Sequence, residues 1–346
     1  MPQGPVRRPT IKDVAALAGV SKGMVSLALR GAPGPSAETA ARVVRAAEEL
    51  GYRADRAASS LALRRTRLLG VVANVRNAFH AELVEELQAA AEEAGYEVVL
   101  APTTRTRGEG AAQEALLDSR CESLLLLGPE SGADELVALD ARAPVVVLGR
   151  RPRPRDGAGR GPDVVRACDE TGVRLVVEHL AALGHRELLH VGGGAGDIAA
   201  DRRAGVEAAA AALGLGVRTV DAGFDEEAGV DAARRVLAQG WSGSAVVAVS
   251  DRVALGFLDV LNREGIAVPG RVSLSGYDDS PLAQLGHVRL TTVSQDPAGQ
   301  ARCAVRLAVD RLEGEGSEEA RDVVLEPRLV VRGTTGPVHP RTDVSE

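Results

Sequence analysis

From Leu68 onward the chain alternates short apolar runs with amphipathic helical stretches, and it does so in two successive series. Leu68–Asn74, Tyr96–Pro102, Ser123–Gly128, Pro144–Gly149 and Val164–Cys168 read as buried strands, because unbroken apolar runs of this length suit strands covered on both faces. A second series runs through Leu188–Gly192, Arg218–Gly223, Ala245–Asp251 and Val272–Asp279. Between them lie helical patterns such as Ala81–Ala94, Arg203–Leu213, Gly229–Ala238 and Val253–Glu264. Strand–helix alternation forces parallel sheets with right-handed crossovers. Two such series predict two similar α/β lobes with a cleft between them.

The first fifty residues have a different texture. Thr10 with Asp13 forms a capping-box signal that opens a helix bearing Ile11, Val14, Ala15 and Ala18 on one face. Gly19 ends it, and Ser21 can cap a second helix whose Val25 and Leu29 make one stripe. Ser36 opens a third helix, with Val43, Val44, Ala47 and Leu50 expected inward and Gly51 as its stop. Two helices joined by a tight turn and braced by a third describe a helix-turn-helix DNA reader.

Charge agrees with that reading. Residues 1–67 hold 12 Lys/Arg against 5 Asp/Glu, while the whole chain holds 41 against 48, so a head of +7 sits on a remainder of −14. A basic module on an acidic body suits phosphate binding. Cys121, Cys168 and Cys303 are widely spaced and form no CxxC pattern, which disfavours both disulfides and a zinc site. No apolar run approaches membrane-spanning length and no signal-peptide core follows Met1, so a cytoplasmic, nucleoid-associated protein is expected.

Three connecting segments carry less pattern. Residues 55–65 are Ala-rich with an Asp at the start and a basic end; they read either as a plain linker or as a short hinge helix that orders on DNA. Arg150–Pro162, rich in Arg, Pro and Gly, reads as a mobile surface loop, and residues 334–346 as a disordered tail.

Taken in order, several motifs resemble the lactose-repressor (LacI/GalR) family of transcriptional regulators. The head contributes Thr10-Ile11-Lys12-Asp13-Val14-Ala15, Ala18-Gly19-Val20-Ser21, Val25-Ser26 and Leu50-Gly51-Tyr52. The body adds Ala81-Glu82-Leu83, Glu178-His179-Leu180, Leu183-Gly184-His185-Arg186, Arg202-x-x-Gly205, Gly276-Tyr277-Asp278-Asp279 and Leu290-Thr291-Thr292-Val293-x-Gln295-Asp296. The resemblance implies an α/β core of two Rossmann-like lobes, periplasmic-binding-protein-like, preceded by an all-α helix-turn-helix head. It further implies a homodimer on an inverted-repeat operator and a small-molecule effector, with no cofactor and no metal. On this basis the domains are expected at 1–54 for the head and 55–67 for the hinge. The near lobe then takes 68–183 with 296–322, and the far lobe 184–295 with 323–333. The chain would cross between lobes near Gly184, Gln295 and Val323.

The resemblance also assigns contacts. Lys22, Ser26 and Leu27 would face bases, with Lys22 suited to guanine O6/N7 and Leu27 to a thymine methyl. Thr10, Ser21, Ser36 and Thr39 would hold phosphates, and Arg30, Tyr52, Asp55, Ala58 and Leu61 complete the DNA-facing set. Leu61 matches a hinge leucine that wedges into the minor groove. Departures from the family pattern include Gly23, which offers no side chain to a base, Asp55 where Asn is usual, and Ala54 for the preceding Pro. The effector set is Asn74, Phe79, Thr171, Arg202, Phe224, Ser250, Asp278 and Gln295. Within this region His80 replaces a usual aromatic, Ala78 a usual Pro, and Cys168 a common Asp. An arginine, an aromatic face and a carboxylate suit a polyhydroxylated or anionic small molecule, a sugar being favoured.

Other readings fare worse. Gly192-Gly193-Gly194-Ala195-Gly196 follows a strand but lacks GxGxxG spacing, and no GxSxG, HExxH or GKS/GKT motif occurs, so an enzyme is not expected. A cytoplasmic sugar-binding protein and a corepressor-dependent, purine-type regulator remain the alternatives.

Overall fold

The computed structural model describes residues 9–29, 32–52, 65–152, 160–192 and 196–338. Contacts divide the chain into two units, Met1–Thr66 and Arg67–Glu346. The expected hinge residues Asp55, Ala58 and Leu61, together with Arg30, lie outside the described residues.

In the head, α1 (Ile11–Ala18), α2 (Lys22–Leu29) and α3 (Ala37–Glu49) enclose one core of Val14, Ala15, Ala18, Val25, Ala28, Val43, Ala46 and Ala47. Thr10 N donates to Asp13 Oδ2 at 2.7 Å, so the acidic side chain reaches back to the helix start as its spacing predicts. Gly19 takes φ 64°, which lets Val20 N reach Ala15 O at 3.0 Å and turns the chain into α2. One expectation fails. Val44 is 40% exposed and Ala46 takes its place inside, because the stripe on α3 follows steps of three and one from Val43.

The second unit is built from two parallel sheets. The first carries β1 (Leu68–Asn74), β2 (Glu97–Thr103), β3 (Ser123–Leu127), β4 (Val145–Leu148) and β5 (Asp163–Ala167), in the order β5-β4-β3-β1-β2. One face is covered by α4 (Ala78–Glu93), and the other by α5 (Glu109–Asp118) and α6 (Ala133–Asp140). The second sheet carries β6 (Glu187–Val191), β7 (Gly216–Val220), β8 (Ala245–Ala248) and β9 (Ser273–Ser275), in the order β7-β6-β8-β9. Helices α7 (Asp169–Ala182) and α8 (Asp197–Ala212) pack on one side of it, α9 (Glu226–Ala238) and α10 (Asp251–Arg263) on the other. The chain then runs through β10 (Thr292–Ser294), α11 (Pro297–Glu313), β11 (Asp322–Leu325) and β12 (Arg328–Val330).

Two of the expected lobe boundaries move. Val173, Val176, Val177 and Leu180 of α7 join the core of Leu188, Val206 and Tyr277 in the second lobe. The first crossing is therefore at Cys168, not Gly184. Strand β11 pairs in parallel with β5, Asp322 beside Val164 through Leu325 beside Ala167. Residues 323–325 thus finish the first sheet, and the chain enters the second lobe only at β12, which pairs antiparallel with β10. α11, by contrast, packs Ala301, Ala304, Val305 and Ala308 into the first lobe.

The expected tail is partly ordered. Thr334 is buried and its Oγ1 donates to Leu274 O at 2.7 Å, and Val338 N donates to Leu183 O at 3.0 Å. Residues 339–346 lie outside the described residues. The segment expected as a mobile loop is likewise tied at both ends: Arg150 pairs with Asp197, and Arg160 with Asp163. Its residues 153–159 are not described. The strands expected at 245–251 and 272–279 stop early. Ser250 accepts a bond from Val253 N at 3.4 Å and so opens α10, ending β8 at Ala248.

Candidate functional site

The first candidate surface is the start of α2. Met24 N donates to Ser21 Oγ at 3.2 Å, and this cap leaves Ser21, Lys22 and Gly23 exposed on the helix's first turn. Ser26 and Leu27 are half-buried one turn on, with Leu27 Cδ1 against Gly34. A helix start presents unpaired backbone N–H groups and a favourable field for phosphate, and an exposed Lys ammonium there adds a donor that can reach a base edge. The hydroxyls expected at phosphates are already oriented. Thr10 Oγ1 is 2.7 Å from Asp13, and Ser36 and Thr39 hydroxyls are 2.9 Å apart at the start of α3. Tyr52 is half-buried against the head's core.

The second candidate is a cleft in the core unit, between the two sheets. One wall is made by Asn77, Phe79, His80 and Leu83 at the start of α4, and by the ends of β3 and β4. The other is made by Ile198 and Arg202 on α8, Phe224, Ser250 and Arg252, with Asp278 and Gln295 beneath. These positions follow the carboxyl ends of parallel strands, where open α/β sheets place ligand sites.

Six of the eight residues expected at an effector line this cleft: Phe79, Arg202, Phe224, Ser250, Asp278 and Gln295. Two do not. Asn74 Oδ1 accepts from Arg76 N at 3.0 Å and shapes the turn into α4. Thr171 sits half-buried on α7, away from the lining. The Ser250 hydroxyl is occupied in capping α10.

Arg202 organises the floor. Its Nε donates to Asp169 Oδ1 at 2.9 Å, its Nη1 donates to Val249 O at 2.7 Å, and Nη1 lies 3.6 Å from Asp278. The guanidinium stacks on Tyr277 at 3.7 Å from the ring centroid. Burial disfavours its charge, but Asp169 and Asp278 outweigh that and hold the guanidinium protonated above its usual range. Asp278 accepts from Gln295 Nε2 at 2.7 Å and takes φ 120°, a backbone region that non-glycine residues adopt only under tertiary constraint. Burial pushes its carboxyl up to about 8 against the pull of Arg202. Asp251 lies deeper. It accepts from Thr292 Oγ1 at 2.5 Å and from Ser280 N and Oγ at 2.7 and 2.9 Å, and burial raises it to about 6.

Sequence reasoning missed His80 and Arg252 as lining residues. Asn74 N donates to His80 Nδ1 at 3.2 Å, so the proton of the neutral ring belongs on Nε2. Burial, with Arg252 nearby, lowers His80 to about 4. Arg252 forks onto Glu226 at 2.9 and 2.5 Å. The only signal in the sequence was position: both follow helix-start residues at strand ends. The cleft therefore offers the Asp278 carboxyl, imidazole and guanidinium groups, and Phe224, which is 37% exposed. Such a set is chemically suited to hydroxyl-rich molecules. Among the described residues no group of three or more His, Cys, Asp or Glu could hold a metal ion, and no helix is long and apolar enough to cross a membrane.

Comparisons with known proteins match both parts of the chain. Residues 10–55 match the model for bacterial regulatory proteins of the lacI family, and residues 177–335 match a periplasmic binding protein-like domain. The HTH-type transcriptional regulator CelR of Thermobifida fusca is 34% identical over 343 residues, covering 94% of this chain and 98% of that protein. A crystal structure of the lac repressor dimer bound to operator and the anti-inducer ONPF superposes with a TM-score of 0.81 at 26% identity, covering 95% of this chain and 100% of that one. The structure of a CelR–cellobiose complex matches at a TM-score of 0.68 and 31% identity, over 94% and 100% of the two chains.

Proposed function

Since the chain belongs to the lacI family of bacterial regulatory proteins, we propose that it is a repressor whose head reads an operator and whose core cleft takes a sugar. It is a DNA-binding transcriptional regulator under small-molecule control. The observation that carries the sugar reading is the linked set Arg202, Asp278 and Gln295 in a cleft that Phe224 also lines. Fixed acceptors and donors beside an aromatic ring recognise ring hydroxyls and C–H faces together. The CelR–cellobiose relative supports a glycoside over a purine.

In the head, Lys22, Ser26 and Leu27 read bases, and Thr10, Ser21, Ser36 and Thr39 position phosphates. Arg30, Tyr52, Asp55, Ala58 and Leu61 belong to the same DNA-facing set. A homodimer binds an inverted repeat, because a two-fold protein matches a two-fold site. The protein acts in the cytoplasm without catalysing a reaction.

The test is a thermal-shift screen of the full chain against cellobiose, ribose, galactose and hypoxanthine, followed by operator titration with each ligand that raises the melting temperature. A sugar that stabilises the protein and weakens operator binding supports the reading. Stabilisation by hypoxanthine alone, with tighter operator binding, replaces it with the corepressor alternative.

A further inference from the structure

We propose that Arg150 and Asp197 form a latch between the two lobes, one that sets how much of the ligand-free protein rests closed over the cleft. Arg150 stands two residues past β4, beyond Gly149, which takes φ 90°. Asp197 is the first residue of α8 in the other lobe. Arg150 Nη1 and Asp197 Oδ2 are 2.6 Å apart, and the side chains are 10% and 29% exposed. The other ion pairs described above join groups within one lobe; this one bridges two.

Its location ties it to the cleft. Gly149 and Ile198, the immediate neighbours of the pair, both line the cleft wall. The pair therefore closes the wall one residue outside the ligand space, and separating the lobes along this edge must break it. Both ends are also held in place. Arg150 Nη2 donates to the Ser131 carbonyl in its own lobe. Asp197 occupies the first turn of a sixteen-residue helix, where the helix field favours a carboxylate.

The latch is also built to yield. Arg150 Nε is buried and finds no acceptor among the described residues, so the pair with Asp197 leaves part of the guanidinium without a charged partner there. Opening returns it and Asp197 to water, which recovers hydration in exchange for the charge-assisted bond. Such a pair biases a two-state equilibrium without locking it, and shifts the closed-to-open ratio by about 1.5- to 5-fold. Any ligand that prefers the closed arrangement then gains affinity in proportion to the closed fraction already present.

The regulatory consequence rests on the cleft being the effector site, but the latch itself is tested without ligand or DNA, so the two readings fail separately. Spin labels go on Arg105→Cys in the first lobe and Glu227→Cys in the second, both exposed positions, in full-length chain with Cys168→Ser and Cys303→Ser. Labelled chain is mixed with excess unlabelled chain, and the interlobe distance distribution is measured by electron double resonance. Arg150→Ala and Asp197→Asn should each enlarge the long-distance population by about 1.5- to 5-fold. The exchanged pair, Arg150→Asp with Asp197→Arg, should restore the distribution. Asp197→Asn is isosteric and keeps the test valid if the exchanged pair folds poorly. Unchanged distributions in both single variants overturn the latch, as does an exchanged pair that folds yet stays as open as Arg150→Ala.

Discussion

Replacing Arg202 by Met should destabilise the second lobe by about 3–4 kcal/mol, a figure that follows from what the guanidinium leaves behind. Three acceptors lose a charged donor: Asp169 Oδ1 at 2.9 Å, Val249 O at 2.7 Å and Asp278 at 3.6 Å. Val249 is 1% exposed, so its carbonyl can find no water and bears a full desolvation cost of about 1–3 kcal/mol. The Asp169 side chain is 15% exposed and recovers some hydration, which keeps its share near the low end. Asp278 takes up a proton more readily once the cation is gone, so its penalty is capped by neutralisation. The Met side chain fills part of the space over Tyr277 and limits the cavity term.

At roughly 2–4 °C per kcal/mol the melting temperature should fall by about 6–16 °C. The chain holds one tryptophan, Trp241, which packs on the second lobe's core, so its fluorescence reports that lobe directly. Arg203→Met is the control, since Arg203 is exposed and, among the described residues, pairs with Glu207 on its own helix and with exposed Asp221; it should leave the transition unchanged. A double-mutant cycle with Asp278→Asn should show a coupling of about 0.5–3 kcal/mol. A loss below about 1 kcal/mol for Arg202→Met, or no coupling to Asp278, refutes the view that this cation holds the floor together. In operator titrations Arg202→Met should bind DNA like the wild type while losing its response to the ligand found by thermal screening.

Asp278 and Asp251 are raised in the folded state, so the native protein binds more protons than the unfolded chain between about pH 4 and 8. Their contribution is present at low pH and lost as pH rises through that window, and Asp278→Asn should flatten the high-pH part of the Trp241 stability profile. His80 and buried His190 shift the other way: both are lowered, the unfolded chain takes up protons first, and stability falls as pH drops below about 6.5. His80→Gln should lessen that acid loss, read in the same assay. Lys22→Ala should cost about 1–3 kcal/mol at one operator base pair, and an equal loss on every sequence in competition assays would reduce Lys22 to a phosphate contact. Leu61→Ala should lower operator affinity while leaving non-specific binding and the melting curve unchanged, as measured by DNA titration at two salt concentrations.

Local signals were legible because they act over three or four residues. Thr10 with Asp13, Gly19 and Ser21 announced the head's helices through bonds that close within one turn, and the structure forms them at those positions. The alternating α/β core was equally readable, since strands buried on both faces must be apolar throughout. Lobe membership was not. Nothing inside α7 says which sheet its Val173–Leu180 face will meet, and β11 becomes an edge strand only because β5, some 158 residues earlier, offers it unpaired backbone. The cleft's electrostatics belong to the same class. Arg202, Asp278 and Asp251 are ordinary charges in the sequence; burial among one another shifts them, and that burial exists only once the second lobe has folded. Arg150 and Asp197 stand 47 residues apart on separate lobes, and only the tertiary structure brings a stray loop arginine to a helix start. Residue chemistry and short-range periodicity were determined by the sequence; which charges meet, and at what cost in lost water, was decided by the fold.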